Sequence, residues 1–196
     1  MASSELAGAQ LVRRPMWPIA LETLLIRELI HLWHTGSGEL LVDSAWVSNF
    51  RFRSVTPQRL AGLLGLPRAD VLTFSDFLAR FLCLGGAVRL MFRDDRENPS
   101  SSESSRALAC ELLAVRAPGY EEAGWRVPGP ALQVRTHQHG HSKRLLGMRA
   151  GYVGSANLTA NGLFNDRDDT IIYWGEDALR PFVNAFLSDW DAAIPQ

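Results

Sequence analysis

Residues 141–174 read HSKRLLGMRAGYVGSANLTANGLFNDRDDTIIYW, and the pattern of this stretch decides the fold prediction. Side chains alternate along a strand, so His141 and Lys143 are expected on one face, with the segment 149–154 returning as the second strand of a hairpin. Small residues at 154–157 predict a tight turn into a short helix. An imidazole, an ammonium group and a polar turn would then converge, which suits the binding and attack of a phosphate.

The His-x-Lys pair followed by Gly-Ser-x-Asn resembles the signature of the phospholipase D superfamily. The continuation Asn-Leu-Thr-x-x-Gly-Leu is similar to the bacterial, nuclease-like branch of that superfamily, which includes DpdK-like and restriction-associated proteins. The resemblance implies that His141 is the nucleophile or the acid, and that Lys143 and Asn157 bind phosphate oxygens. It also implies that Ser155 helps to orient them and that an acidic residue, nearest in position to Asp168, holds the imidazole through its other nitrogen.

The chain departs from the family pattern in the hairpin and after the turn. Met148 stands five residues after the lysine, where the family commonly has Asp, and the span 141–154 is slightly short. That family Asp supports the hairpin more than the chemistry, so the departure bears first on hairpin geometry. After the turn the usual family residue is Glu, and Asp166 and Asp169 are neighbours that could substitute for Asp168.

Hydrophobic periodicity over the rest of the chain predicts helices and strands in an order typical of an α/β protein. We expect a phospholipase D-like α/β/α layered domain with a mixed, partly parallel sheet. In the first helix, Glu22, Arg27 and Glu28 are predicted to share the wetter side. The predicted helices cover 19–34, 56–66, about 75–81, 106–115 and 176–193, and the further strands cover 39–43, 87–92, 125–127, 131–136 and 170–174.

Length and composition favour one domain. The chain has 196 residues, 46% of them hydrophobic, and a net charge of −1, which together allow one full core. We expect residues 1–15 to be a flexible N-terminus, 16–196 to form the domain, and the polar segment 94–105 to be a mobile loop within it. The absence of a long apolar run or a signal-peptide pattern predicts a cytoplasmic protein with no membrane association. Cys83 and Cys110 are expected to be buried free thiols rather than a disulfide.

The distribution of charge is more informative than the net charge. Of the 20 basic side chains only Lys143 is a lysine, which suggests a position that requires a compact ammonium group. Residues 123–165 contain no Asp or Glu, and Arg144 and Arg149 flank the motif there. We therefore predict that both arginines contribute to a basic field that binds a polyanion, with nucleic acid, and DNA in particular, as the favoured substrate.

A polar and aromatic loop follows the predicted strand 39–43. Loops beyond strand ends carry ligands in α/β sheets, so Trp46, Ser48 and Asn49 are candidates for a substrate-binding wall. Trp46 would stack on a base, although packing in a core or an interface is the commoner role of such a residue.

The resemblance implies a metal-independent phosphodiesterase without cofactors, most simply a nuclease, that acts through a phosphohistidine. In the family two His-x-Lys copies build one site, and this chain has one copy, so two chains must meet as a homodimer. The short single-motif relatives suggest a role in DNA modification, restriction or phage defence, with other defence proteins as possible partners.

Two other functions are compatible with the sequence. His137, His139 and His141 alternate along one segment and would offer three imidazoles to a metal ion on one strand face. The departure at Met148 would instead suit a non-catalytic subunit that binds nucleic acid or supports assembly. Activity that is lost in chelator would identify the metal site. Binding of nucleic acid without turnover would identify the non-catalytic subunit.

Overall fold

A computed structural model gives the fold of the chain. It describes residues 8–12, 16–52, 62, 72–95, 102–114, 131–164 and 170–196. The predicted helix at 56–66, apart from residue 62, and the predicted strand at 125–127 lie outside these ranges.

An open sheet of eight strands forms the middle layer, with the spatial order β1-β7-β6-β5-β2-β3-β4-β8. Strands β2, β3 and β4 are parallel to each other, and every other neighbouring pair is antiparallel. This mixed sheet confirms the predicted α/β class. The strands are β1 Ala9–Val12, β2 Glu39–Ser44, β3 Ala87–Arg93, β4 Leu132–His137, β5 Lys143–Leu146, β6 Ala150–Gly154, β7 Thr170–Trp174 and β8 Ile194–Pro195.

Helices cover both faces of the sheet. Four helices contribute to the larger core on one face of the sheet. The last helix covers the other face, where its apolar side chains and those of the strands form a smaller cluster. Alternation along β2 explains this division, because Leu40 and Val42 belong to the larger core whereas Leu41 belongs to the smaller cluster. The helices are α1 Trp17–Thr35, α2 Phe74–Cys83, α3 Glu103–Ala114, α4 Ala160–Phe164 and α5 Glu176–Ala192.

Local sequence signals account for the ends of two helices. Pro18 lies in the first turn of α1, and Gly36 ends this helix with φ of 69°, a left-handed conformation that glycine adopts without strain. Thr73 caps α2 through a reciprocal pair of hydrogen bonds with Asp76. The predictions of both helices are confirmed, with shifts of a few residues at their ends.

Two predictions of irregular structure are wrong in part. Residues 9–12 lie in the segment predicted to be a flexible terminus, but they form β1 and pair with β7 from Ala9↔Tyr173 to Val12↔Thr170. Helix α3 begins at Glu103, three residues before the predicted start, so the predicted loop 94–105 does not extend that far. Tertiary pairing supplies hydrogen bonds that the local composition does not reveal.

The cysteines are free thiols, as predicted, but Cys110 is exposed and Cys83 is half-buried, so the expectation that both are buried is wrong. In the described part of the chain, no helix is long and apolar enough to cross a membrane.

Candidate active site

One edge of the sheet collects the chain segments that carry the motif. The parallel strands β2, β3 and β4 end at this edge. Strand β5 begins here because it is antiparallel to β2, with Lys143 opposite Ser44. Strand β6 ends here at Gly154, directly opposite Thr170, where β7 begins. The edge formed by the carboxyl ends of parallel strands is where α/β proteins bind ligands.

His141 and Lys143 lie together at this edge, but not on one strand. Strand β5 starts at Lys143, so the prediction that both residues alternate along a strand is wrong for His141, which lies in the preceding turn. Lys143 is half-buried, and its Nζ donates to the backbone oxygen of His141 at 2.8 Å. His141 itself is exposed, so its imidazole is accessible to a ligand above the sheet edge.

The turn that carries His141 is held by another histidine. Nδ1 of His137 accepts the backbone N–H of Gly140 at 2.9 Å. A Cβ at position 140 would lie 2.0 Å from the His137 ring, and only glycine allows this close approach. The contact therefore fixes the path of the backbone immediately before His141.

Asn157 is oriented by the end of β2. Its Oδ1 lies 3.4 Å from the backbone N–H of Trp46 and 3.3 Å from Ser44 Oγ, whose single hydrogen also faces the Trp46 backbone oxygen at 2.8 Å. Ser44 Oγ also accepts the backbone N–H of Leu158 at 3.2 Å. A backbone N–H can only donate, so these contacts assign the amide oxygen to Trp46 and direct the two Nδ2–H donors elsewhere. That arrangement suits an amide that binds a phosphate oxygen.

Each motif position after Asn157 contributes to packing or to hydrogen bonding in this region. Leu158 and Leu163 are buried, and Thr159 Oγ1 accepts the backbone N–H of Gly162 at 3.1 Å. A Cβ at position 162 would lie 2.3 Å from the backbone oxygen of Asn157, so glycine is required where α4 packs on the turn. The turn that presents Asn157 is thus closely packed.

The loop after β2 packs against this turn. Val47 and Leu158 form a parallel bridge, and Ser48 N–H donates to Leu158 O at 3.0 Å. Trp46 and Ser48 are half-buried at the same sheet edge. Asn49 has structural contacts, because its Nδ2 donates to the Glu111 carboxylate at 3.1 Å and its Oδ1 accepts a backbone N–H from α2. We therefore revise its predicted role and assign it to fixing the loop.

Arg144 does not contribute to an exposed basic field. The residue is 6% exposed, and its guanidinium pairs with Asp43 at 2.8 Å and also with Asp189 of α5. Arg135 is likewise engaged, since its Nη1 donates to the backbone oxygen of Trp190 at 2.6 Å. Acidic and carbonyl groups distant in sequence therefore neutralise or occupy the arginines that the local sequence presents as free, and the predicted role of Arg144 is revised.

Arg149 lies at the opposite end of the hairpin from the motif. Strand β6 separates its position from Gly154, a distance of about 17 Å over five residue steps. This placement revises the prediction that Arg149 binds substrate beside His141.

The hairpin turn between β5 and β6, at the end where Arg149 lies, is held by a carboxylate from α1. Glu28 Oε1 accepts the backbone N–H groups of Arg149 and Ala150, both at 2.8 Å, and Oε2 accepts that of Met148 at 2.7 Å. Burial raises the pKa of Glu28, and the three backbone hydrogen bonds oppose that rise. Glu28 is 1% exposed, so the prediction that it faces solvent is wrong.

The remaining predicted site residues are Ser155 and Asp168. Ser155 is exposed in the turn that follows β6, at the motif edge. Asp168 and its neighbours Asp166 and Asp169 lie outside the described residues, so the proposed partner of the imidazole stays a prediction.

The histidines that could share a metal ion are not arranged as a ligand set. Within the described ranges, no three His, Cys, Asp or Glu side chains are grouped to hold an ion. His137 instead uses Nδ1 for Gly140 and directs Nε2 toward Asp43.

Several residues that build the site gave little signal in the sequence. Ser44 orients Asn157, His137 holds the turn before His141, and Glu28 holds the far end of the hairpin. Ser44 and Glu28 act on groups that only the fold brings close to them. The one local clue was Gly140, a glycine three residues after a histidine, which permits the approach of the imidazole.

Comparison with known proteins relates this chain to others through its fold. No protein-family profile matches the sequence, and no curated protein matches it. The fold is that of the phospholipase D family member Nuc from Salmonella typhimurium, with a TM-score of 0.54, 12% identity, and coverage of 96% of this chain and 97% of that one. NucT from Helicobacter pylori gives a TM-score of 0.52 at 11% identity and covers 96% and 98%. TrmBL2, an archaeal chromatin protein with a novel mode of DNA binding, gives 0.51 at 11% identity, with coverage of 98% of this chain and 56% of its own.

Proposed function

We propose that this chain is a phosphodiesterase of the phospholipase D superfamily that cleaves nucleic acid without a metal ion. The observation that supports this most directly is the convergence of His141, Lys143 and Asn157 at one sheet edge of a phospholipase D-like fold. An exposed imidazole beside a lysine ammonium and an oriented amide provides a nucleophile and two groups that bind phosphate oxygens.

The reaction proceeds in two displacements at phosphorus. A neutral His141 imidazole attacks, forming a P–N bond while the P–O bond to the leaving group breaks, and the partner's His141 donates its proton to the departing oxygen. Water then attacks the phosphohistidine and loses a proton to the partner's His141, which is now neutral, as the P–N bond breaks. Lys143 and Asn157 stabilise the charge on the non-bridging oxygens in both steps.

The second imidazole comes from another copy of the chain. The sequence contains one His-x-Lys, and in the described part of the chain no side chain hydrogen bonds to the His141 imidazole. A two-fold axis close to the motif edge would bring both His141 residues to a single phosphate. Asp168 is the proposed partner that orients the imidazole within each chain.

The test is cleavage of labelled single-stranded and double-stranded DNA and RNA in excess chelator. We expect turnover by the native chain and none by His141→Ala, with His139→Ala, a change at a neighbouring exposed histidine, as the matched control. Turnover that depends on added metal and survives His141→Ala would contradict the proposal. The resemblance of the Asn-Leu-Thr-x-x-Gly-Leu segment to restriction-associated proteins supports DNA as substrate and a role in DNA modification, restriction or phage defence.

A second function is a non-catalytic subunit that binds nucleic acid. It is supported by the fold shared with TrmBL2, an archaeal chromatin protein that binds DNA. It predicts that no diester is cleaved and that the affinity for nucleic acid is the same in the native chain and in His141→Ala.

A further inference from the structure

A cleft lies beside the turn that carries His141, on the face of the sheet covered by α5. Its volume is about 330 Å³, and its walls include His137, Ser142 and the last turn of α5 at Ala192, with Asp43 and Met91 among the lining residues. Gly140 and Ser142 both border the cleft and are the chain neighbours of His141. The cleft therefore borders the backbone on both sides of His141.

One oxygen of the Asp43 carboxylate has only a long contact within the protein. Asp43 is 1% exposed, and its Oδ2 accepts from Arg144 at 2.8 Å. Its Oδ1 is buried without a hydrogen-bond partner, and the nearest candidate, His137 Nε2, is 3.5 Å away, which is too long for a good hydrogen bond. A buried carboxylate oxygen without a donor is costly, so a bound group that donates there gains more than an ordinary surface contact.

Charge determines which kind of group the cleft accepts. Asp43 and Asp189 carry two formal negative charges and Arg144 carries one positive charge, so the trio retains a negative charge. A second phosphate is therefore disfavoured there. Met91, Ala192 and Ala193 give the cleft apolar surface, which a flat aromatic ring can cover.

From these observations we propose that the cleft binds the nucleobase next to the scissile phosphate and selects bases with an exocyclic amine through Asp43 Oδ1. Guanine, adenine and cytosine each carry such an amine, whereas thymine and uracil present carbonyl oxygens that the carboxylate repels. This inference rests on the proposed function, since it assumes that the phosphate bound at His141 belongs to a nucleic acid. The cleft would add selectivity among nucleobases to a site that otherwise recognises only the phosphate.

The experiment measures binding, so that it does not depend on turnover. Fluorescence anisotropy with His141→Ala protein compares short single-stranded oligonucleotides that differ only in the amine: guanine against hypoxanthine, adenine against purine, and cytosine against 2-pyrimidinone. A hydrogen bond to a charged acceptor predicts that at least one amine-bearing member binds about tenfold or more tightly than its partner. Equal affinity within all three pairs, or no binding of any oligonucleotide, overturns the proposal.

Two substitutions on α5 provide the matched comparison. Ala192 is exposed and borders the cleft, so Ala192→Trp should fill it and reduce the discrimination to less than about twofold. Ala185 is also exposed, seven residues earlier on the same side of the helix, and is not among the residues that line the cleft. Ala185→Trp should therefore keep the full discrimination. Loss in both variants, or in neither, contradicts the assignment of the effect to the cleft.

Two further measurements separate this inference from the proposed function. Hydrolysis of bis(p-nitrophenyl) phosphate, a diester without a base, tests the chemistry alone, so cleavage without base discrimination overturns only the cleft proposal. Vesicles of phosphatidylethanolamine and of phosphatidylglycerol test a lipid amine as the ligand. Selective binding of phosphatidylethanolamine vesicles, without base discrimination, would assign the cleft to a lipid headgroup and overturn the nucleobase proposal.

Discussion

Glu28 of α1 accepts the backbone N–H of Met148 at 2.7 Å, across 120 positions of sequence. Met148 stands where the phospholipase D pattern commonly has an acidic residue that supports the hairpin. Here a carboxylate from a different element supports the same turn through three backbone hydrogen bonds. The hairpin therefore still has an acidic residue that supports it, despite the departure from the motif.

Glu28→Gln should lower the free energy of unfolding at neutral pH by about 1–3 kcal/mol, because the amide nitrogen cannot accept the Met148 N–H and leaves it unpaired. Urea unfolding measures the change. The control is Glu39→Gln, which removes a half-exposed ion pair with Arg89 and should cost less than about 1 kcal/mol. Equal effects of the two substitutions would contradict the special role of Glu28.

The same carboxylate should give stability a pH dependence of known sign. Burial raises the pKa of Glu28 in the folded chain above its unfolded value, so the folded state binds this proton more tightly. The stability gained from this preferential protonation is full below the unfolded pKa and is lost as pH rises through the folded pKa. The free energy of unfolding, measured at several pH values, should show this loss in the native chain. The Glu28→Gln variant should not show it.

Lys143→Arg should reduce turnover about 100-fold or more although the charge is retained. The Nζ of Lys143 lies 2.8 Å from the backbone oxygen of His141, a compact position that a planar guanidinium does not reproduce. Steady-state kinetics on a labelled oligonucleotide measures the effect. Arg149→Lys, at the opposite end of the hairpin, should leave turnover unchanged. Near-native activity of Lys143→Arg would remove this residue from the site.

Ser44→Ala should reduce turnover about tenfold, since Asn157 loses a contact that orients its amide. The matched control is Ser105→Ala, because Ser105 is equally buried and bonds the backbone of Val47 at 2.9 and 3.0 Å without touching Asn157. Both variants should lose about 1–2 kcal/mol of stability, whereas only Ser44→Ala should lose activity. Equal turnover in the two variants would show that Ser44 acts through stability alone.

Asp168→Asn should lower turnover while nucleic-acid affinity stays nearly intact, because the proposed carboxylate orients and stabilises the imidazole without binding the phosphate. Kinetics and anisotropy on the same oligonucleotide separate the two quantities. Asp166→Asn and Asp169→Asn are the comparisons. If either neighbour gives the larger loss, the alignment of this segment with the family residue is incorrect.

Mixed dimers test whether two chains share one site. If native and His141→Ala chains exchange freely in equal amounts, about a quarter of the dimers contain two native chains. Activity per total chain should fall to that fraction, and should follow the square of the native fraction across other ratios. A linear dependence, with exchange verified by differently tagged chains, would contradict the shared site.

The sequence alone determined the class of fold, most elements and the motif, because these depend on local periodicity and on residues close together in the chain. Gly36 ending α1 and Thr73 capping α2 are examples of such local signals. Asp168 could be named from the family pattern, and it lies outside the described residues.

Only the tertiary structure decided which charged groups face the site. Arg144 follows Lys143 in the chain, yet alternation turns it to the opposite face, where Asp43 and Asp189 neutralise it. Arg149 belongs to the same basic segment, yet the direction of β6 carries it to the far edge of the sheet. The physical reason is that electrostatic interactions depend on distance in space and on burial, and tertiary packing sets both for residues more than 40 positions apart in the chain.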